Sequence, residues 1–318
     1  MTALLFTALV TVWGFTWFAI KLQLGPVAPE LSICYRFVLA AAVLWALLAV
    51  MRRIRSAPWA GQGWFALLGL TLFSLNFLLI YSATQFIASG VVSVLFTTAT
   101  LFNAFHQWLF LRRAPSPRVM AGALCGIAGI ALLFLQEFSQ LGAGHDQLLG
   151  IGLAIAGTYV FSLGNMVSLR AVRVAGDLPN AIVRGMTWGV VFLAAFAFLR
   201  GVPFVVPTTL PYLAGLVYLA IPGSIIGFFA YLSLLQRVGP DRAAYATVLF
   251  PVLALAVSTV LENYVWTLAG LGGFALVLAG NLVIFARLPH KWRTRSRLES
   301  APDAPPVGGQ RVDGIDAR

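Results

Sequence analysis

QFIASGVVSVLFTTATLF (Gln85–Phe102) and QRVGPDRAAYATVLFPVL (Gln236–Leu253) stand 151 positions apart, and reading them as counterparts decides the fold. Residue identities between the two are few, so the correspondence rests on landmarks further out. At the same offset Gly122 falls on Gly273 and Gly129 on Gly280, and at an offset of 150 Pro29 falls on Pro179. The chain therefore reads as two copies of one unit.

What each copy contains follows from hydropathy. The 318 residues are 60% hydrophobic and 10% charged, with a mean hydropathy of +0.90, whereas soluble domains are roughly 45–50% apolar and ~25% charged. Apolar residues arrive in blocks of ~20, the length that crosses a ~30 Å hydrocarbon core as a helix. Charges, prolines and turn residues separate ten such segments, at 2–21, 31–51, 63–82, 86–111, 118–135, 148–169, 180–199, 210–235, 242–261 and 265–286. A lone apolar segment in lipid must close its own backbone hydrogen bonds, so each is expected to be helical. The first block lacks a basic leader and a small-residue cleavage site, and it reads as a retained helix.

Basic residues set the orientation. Arg52, Arg53 and Arg55 follow the second segment, Arg112, Arg113 and Arg118 the fourth, Arg170 and Arg173 the sixth, and Arg237 and Arg242 the eighth. The alternate connections hold little beyond Lys21 and Arg200. The positive-inside rule then puts both termini in the cytoplasm. Net charge of +11 is in this light a topology signal, and no nucleic-acid partner is expected.

The expected fold class is an all-α membrane protein of ten transmembrane helices in two inverted five-helix repeats, because an odd number per copy makes the second copy start on the opposite side. Residues 1–136 form the first repeat, 137–147 a periplasmic connection, 148–286 the second repeat, and 287–318 a basic cytoplasmic tail too poor in apolar residues to fold. Inverted repeats suit secondary transport, since near-symmetric halves exchange conformations around a central site.

Trp13-Gly14, the Arg36-Phe37 pair and the run from Ala244 through Pro251 to Glu262 resemble the EamA-type members of the drug/metabolite transporter superfamily, over residues 1 to about 286. Thr100 and Leu111 stand where the first copy would carry that proline and glutamate, a departure from the pattern. The resemblance implies a central cavity surrounded by helices one, three, four, six, eight and nine, with five and ten at one edge. It also implies rocking of the halves and export of small metabolites across the bacterial inner membrane. Within the family, the chain looks most like the YddG-like exporters of aromatic and neutral amino acids, the competing readings being a broad drug or metabolite exporter of the same fold and a non-transporting membrane scaffold.

Candidate substrate-binding residues are polar or aromatic side chains that gain nothing by facing lipid. Ser93, Thr97, Thr100 and Gln107 form one polar face of the fourth segment; the competing reading has their hydroxyls bonded to their own helix. Trp13 and Trp17 lie one turn apart in the first segment, Asn76 and Tyr81 in the third, and Tyr159, Ser162 and Asn165 near one face of the sixth. Tyr231 and Tyr245 complete the set. Trp45, Trp59, Trp108 and Trp266, near segment ends, read as interfacial belt residues, an objection that also touches Trp17. Pro222-Gly223 and Pro251 interrupt the eighth and ninth segments and are candidate hinges, static kinks being the competing reading. Gly122, Gly126 and Gly129, with Gly272, Gly273 and Gly280, read as close-packing positions.

No Asp or Glu falls mid-segment: Glu30 and Glu262 sit at helix ends, Arg36 near the outer end of the second segment, Arg184 near the inner end of the seventh, and His106 reads as structural. An uncharged interior is therefore expected, with facilitated diffusion of a net-neutral solute and little affinity for phosphorylated sugars. HExxH, GxSxG and Walker A patterns are absent, so no enzymatic activity is expected. Cys34 and Cys125 stand alone in apolar blocks, and neither a disulfide, a metal nor any cofactor is expected. The expected partners are a small-molecule substrate and membrane lipids, with the protein a monomer or weak homo-oligomer.

Overall fold

Apolar segments with no outside hydrogen-bond partners leave the backbone one local solution, and among the described residues every regular element is a helix. The computed structural model describes residues 2–25, 27–112, 116–133, 144–205, 208–231, 234 and 245–285. Residues 137–143 of the expected connection, the 287–318 tail, Arg113, Arg237, Arg242 and the side chain of Tyr245 lie outside that description.

The helices are α1 (Thr2–Lys21), α2 (Pro29–Val50), α3 (Trp59–Ala83), α4 (Ser89–Phe96), α5 (Ala99–Leu111), α6 (Pro117–Leu133), α7 (Gly144–Ala175), α8 (Leu178–Leu199), α9 (Leu210–Tyr231), α10 (Tyr245–Leu261) and α11 (Leu268–Phe285). Six of them, α1, α2, α3, α7, α8 and α9, contain spans long and apolar enough to cross a membrane. Shorter apolar stretches run through α6, α10 and α11.

The expected fourth segment is broken into α4 and α5. Thr97 and Thr98 each turn a hydroxyl back onto the carbonyl three residues earlier, on Val94 and Leu95, at 2.7 Å. The backbone there follows the same short spacing, Thr97 N to Val94 O at 3.1 Å and Thr98 N to Leu95 O at 3.0 Å. Side chains that compete for helix carbonyls tighten the turn, and the axis shifts.

Two other helices widen instead. α3 carries a π-turn at Thr71–Leu75 and α9 one at Leu219–Ile226, the latter holding Pro222. A π-turn frees a carbonyl, which needs a donor inside lipid. Ser74 Oγ donates to the Gly69 carbonyl at 2.8 Å, and Ser224 Oγ to the Leu219 carbonyl at 2.9 Å.

α2 packs against α8, α1 against α10, α3 against α7 and α8, and α6 against α11. Small residues set these distances: a Cβ on Gly69 would come within 2.7 Å of the Gly189 nitrogen in α8, and one on Gly90 within 2.7 Å of the Leu255 Cα in α10. The outer surface is apolar. Phe15, Val38, Leu67, Val191, Phe196, Val217 and Leu249 are all exposed, a jacket suited to lipid and not to water.

Polar contacts tie both ends. At one, the Arg55 guanidinium pairs with Asp177 at 2.9 Å and Asn180 donates to the Arg53 carbonyl at 3.0 Å, pinning the loop after α2 to the start of α8. At the other, Arg200 pairs with the buried Glu30 at 3.0 Å, Lys21 donates to the Thr84 carbonyl at 3.0 Å, and the Glu262 carboxylate accepts from both the backbone nitrogen, at 3.1 Å, and the hydroxyl of Ser89. Several of the arginines and carboxylates that mark the loops are thus also fasteners.

Candidate substrate cavity

Near the middle of the bundle the helices leave a cavity of about 520 Å³, counting its open mouth. α1 contributes Trp13, Thr16, Trp17 and Ile20; α2 contributes Arg36; α3 contributes Asn76, Phe77 and Ile80. Phe96 of α4, Phe161 of α7, Gly223 and Phe228 of α9 and Phe250 of α10 complete the wall. Aromatic walls with a few polar groups are the usual lining of small-molecule sites.

The rings brace one another. Trp17 stacks on Phe250 with centroids 6.2 Å apart and meets Phe96 edge-on at 5.3 Å; Phe96 lies 4.6 Å from Phe161. Trp13 stands between Phe228, at 5.7 Å, and Tyr231, at 5.4 Å. The π-turn of α9 positions Trp13, whose indole nitrogen donates to the Gly223 carbonyl at 3.3 Å. Gly227 makes room for it: a Cβ there would sit 2.2 Å from Trp13 Nε1.

Arg36 changes the electrostatics expected of this interior. It is 1% exposed, lines the cavity, donates from Nε to Ser224 Oγ at 3.1 Å, and holds its guanidinium carbon 4.5 Å from the Phe77 ring centroid. The expectation of an uncharged interior, with Arg36 near a helix end, is corrected by this placement. α2 begins at Pro29, two turns earlier, and Arg36 shares the buried face of Ile33, Phe37, Ala40 and Leu44.

One turn nearer the Lys21 end, a polar layer lies above the cavity. Tyr81 donates to Gln23 Oε1 at 2.8 Å, Ser32 to the Gln23 carbonyl at 3.4 Å, and Tyr212 to Ser32 Oγ at 2.8 Å. Among the described residues no three His, Cys, Asp or Glu side chains gather as a metal ion would require.

Of the candidates drawn from sequence, Trp13, Trp17 and Asn76 line the cavity, and Tyr231 packs behind Trp13. Tyr81 belongs to the polar layer. Ser93 donates to the Gly90 carbonyl and Thr100 to the Thr97 carbonyl at 2.9 Å, while Thr97 and Thr100 border a separate small crevice against α6 and α11. Ser162 and Asn165 join a different cluster between α5 and α7: both donate to Asn103 Oδ1, at 2.7 and 3.3 Å, and Ser162 meets His106 Nδ1 at 2.8 Å, with Tyr159 packed on the imidazole. Pro222 and Gly223 lie in the π-turn and Pro251 follows the wall residue Phe250. Arg36, Thr16 and the phenylalanines of the wall were not among the candidates.

A helical chain jacketed in apolar side chains around an aromatic, singly charged cavity defines a multi-pass membrane protein. A solved crystal structure has the same fold, with a TM-score of 0.63 at 21% identity over 92% of this chain and 98% of that one. The sequence matches the EamA-like transporter family over residues 1–135 and 148–286. The chain belongs to that family, within the drug/metabolite transporter superfamily, and is a membrane transporter of the inner membrane. It is 29% identical to the inner membrane transporter YedA of Escherichia coli strain K12 over 280 residues, 85% of this chain and 88% of that protein. It is 25% identical over 284 residues, 85% and 90% of the two chains, to a Salmonella typhimurium protein named as a probable amino-acid metabolite efflux pump.

Proposed function

We propose that this transporter exports small amphipathic metabolites, aromatic and other neutral amino acids first among them, by alternating access of the central cavity. The carrying observation is the cavity's wall, in which α1, α2, α3 and α4 from the N-terminal half and α7, α9 and α10 from the C-terminal half all take part. A site shared by two halves opens to alternate sides when one half rocks against the other.

The reading includes ten transmembrane helices in two inverted repeats with both termini cytoplasmic. Three features support it. The family match falls in two blocks. Helix neighbours also exchange between the halves: α1 lies on α10 as α4 and α5 lie on α7, and α3 lies on α8 as α2 lies on α9. The two π-turn serines, Ser74 and Ser224, are 150 positions apart, like Pro29 and Pro179. Pro222, Gly223 and Pro251, beside the cavity, are the proposed bending points.

For substrate, the aromatic wall suits an aromatic or branched side chain, and the amino-acid role in the name of the Salmonella relative points the same way. Among the described residues no Asp or Glu lines the cavity, which supports a scheme without a proton carried on a carboxylate beside the substrate, and the proposed transport is downhill. Uptake of radiolabelled phenylalanine, threonine and a cationic dye into proteoliposomes tests the reading. Phenylalanine flux supports it, dye-only flux moves the protein to drug export, and retention of every solute contradicts transport.

A further inference from the structure

Among the described residues, two polar atoms on cavity residues lack a hydrogen-bond partner, and they are of opposite kind: Arg36 Nη1 is a charged donor and Asn76 Oδ1 an acceptor. Both side chains are almost wholly buried, at 1% and 2% exposure. A guanidinium removed from water is costly unless an anion or a full set of acceptors faces it. Here the protein supplies the hydroxyl of Ser224, the phenol of Tyr81 beside it and the faces of Phe37 and Phe77 at 5.3 and 4.5 Å, and among the described residues no acidic side chain lines the cavity. The orientation of the Asn76 amide is set by the hydrogen bond from Nδ2 to the Leu72 carbonyl at 3.3 Å, which leaves Oδ1 as the open position.

We propose that the missing counter-ion of Arg36 is the substrate's own carboxylate, and that Asn76 Oδ1 accepts from its ammonium group. The inference rests on the amino-acid reading above and deepens it: an α-amino acid completes both orphan groups at once, with its side chain among Trp17, Phe96 and Phe250. Charge-assisted bonds to a guanidinium are the strong ones, and a cation with no protein anion is poised for them. One positive charge matches a monocarboxylate. A phosphate monoester, near two negative charges at neutral pH, would be left half compensated. The net-neutral solute expected from sequence survives in altered form, as a zwitterion whose negative end is read by a buried arginine.

The test uses the full-length protein in lipid nanodiscs and in proteoliposomes with four probes: phenylalanine, 3-phenylpropionate, phenethylamine and phenyl phosphate. Ligand-induced thermal shift reads binding, and competition with labelled phenylalanine reads transport. Wild-type protein is expected to bind phenylalanine and 3-phenylpropionate and to bind phenethylamine roughly ten-fold or more weakly, the loss of one charge-assisted bond. Arg36→Gln is expected to erase the preference for carboxylates, whereas Asn76→Leu weakens phenylalanine and leaves 3-phenylpropionate unchanged. Equal binding of phenethylamine and phenylalanine by wild-type protein, or tighter binding of phenyl phosphate than of 3-phenylpropionate, overturns the proposal without any variant having to fold. Carboxylate-selective binding with no flux of any probe upholds Arg36 as an anchor and contradicts the transport reading; phenylalanine flux without carboxylate preference does the reverse.

Discussion

Gly129 of α6 and Gly273 of α11 meet backbone to backbone: a Cβ on Gly273 would lie 2.5 Å from the Gly129 carbonyl oxygen, and one on Gly129 2.7 Å from that of Gly273. Gly280 repeats the contact against Gly122, where its Cβ would stand 2.7 Å from the carbonyl oxygen. The 151-residue offset maps Gly122 on Gly273 and Gly129 on Gly280, so each contact becomes the other when the halves exchange. That exchange is what a two-fold axis between the halves requires, and it supports the inverted-repeat proposal from packing alone.

Gly273→Val is therefore expected to force α6 and α11 apart. Overpacking of a tight contact costs about 1–3 kcal/mol, and the melting temperature of the detergent-solubilised protein should fall by several degrees on the scale of ~2–4 °C per kcal/mol. Gly152, whose Cβ would meet nothing within 4 Å, is the control, and Gly152→Ala should leave the melting temperature unchanged or raised. Thermal denaturation followed by size-exclusion chromatography checks both.

Gly227→Ala acts on the site itself. Its Cβ would lie 2.2 Å from Trp13 Nε1, so the indole must swing away and lose its bond to the Gly223 carbonyl. Transport should fall at least ten-fold while the protein remains monodisperse. Indole fluorescence, read in the same sample, should shift if Trp13 has moved.

The aromatic wall predicts a change in KM more than in folding. Trp17 and Phe250 stack with centroids 6.2 Å apart, and removing either ring by substitution to alanine opens the side-chain end of the cavity. Aromatic pairs contribute about 0.5–1.5 kcal/mol beyond area burial, so a three- to ten-fold rise in KM for phenylalanine, and a smaller one for threonine, is expected from initial uptake rates.

Glu262 caps α4 by accepting from the backbone nitrogen of Ser89, at 3.1 Å, and from its hydroxyl. A carboxylate at a helix N-terminus is favourable, and its loss costs about 1–2 kcal/mol. Under alternating access this contact fastens α10 to α4 at the end where the polar layer lies above the cavity. Glu262→Ala should then speed alkylation of a Thr16→Cys probe in the cavity wall by a membrane-impermeant maleimide several-fold. Unchanged labelling would remove Glu262 from any gating role.

Much of the bundle was legible because water-avoiding length is a one-dimensional signal: six segments read as apolar blocks are helices long enough to span. The site was less so, and the reason is the solvent. In water, Phe77, Phe96, Phe161, Phe228 and Phe250 would mark a core face by their period, but in lipid an apolar residue is equally at home on either face, so the wall phenylalanines did not stand out among 24. Trp13, Trp17 and Asn76 were found because polar or amphipathic groups at depth are rare. Arg36 is visible as a charge, but apolarity alone starts the segment at residue 31, whereas α2 begins at Pro29, and the shorter segment puts Arg36 nearer the membrane surface and outside the candidate set. The Ser93, Thr97 and Thr100 stripe shows the converse, since a hydroxyl satisfied by its own carbonyl has no need of a cavity.

Counterflow tests alternating access around one central site most directly. Proteoliposomes loaded with unlabelled phenylalanine and diluted into a trace of labelled phenylalanine should accumulate label transiently above its outside concentration, with no pH gradient imposed and no change when one is. Label that only equilibrates describes a channel, and accumulation that requires a proton gradient describes a coupled pump; either result contradicts the account.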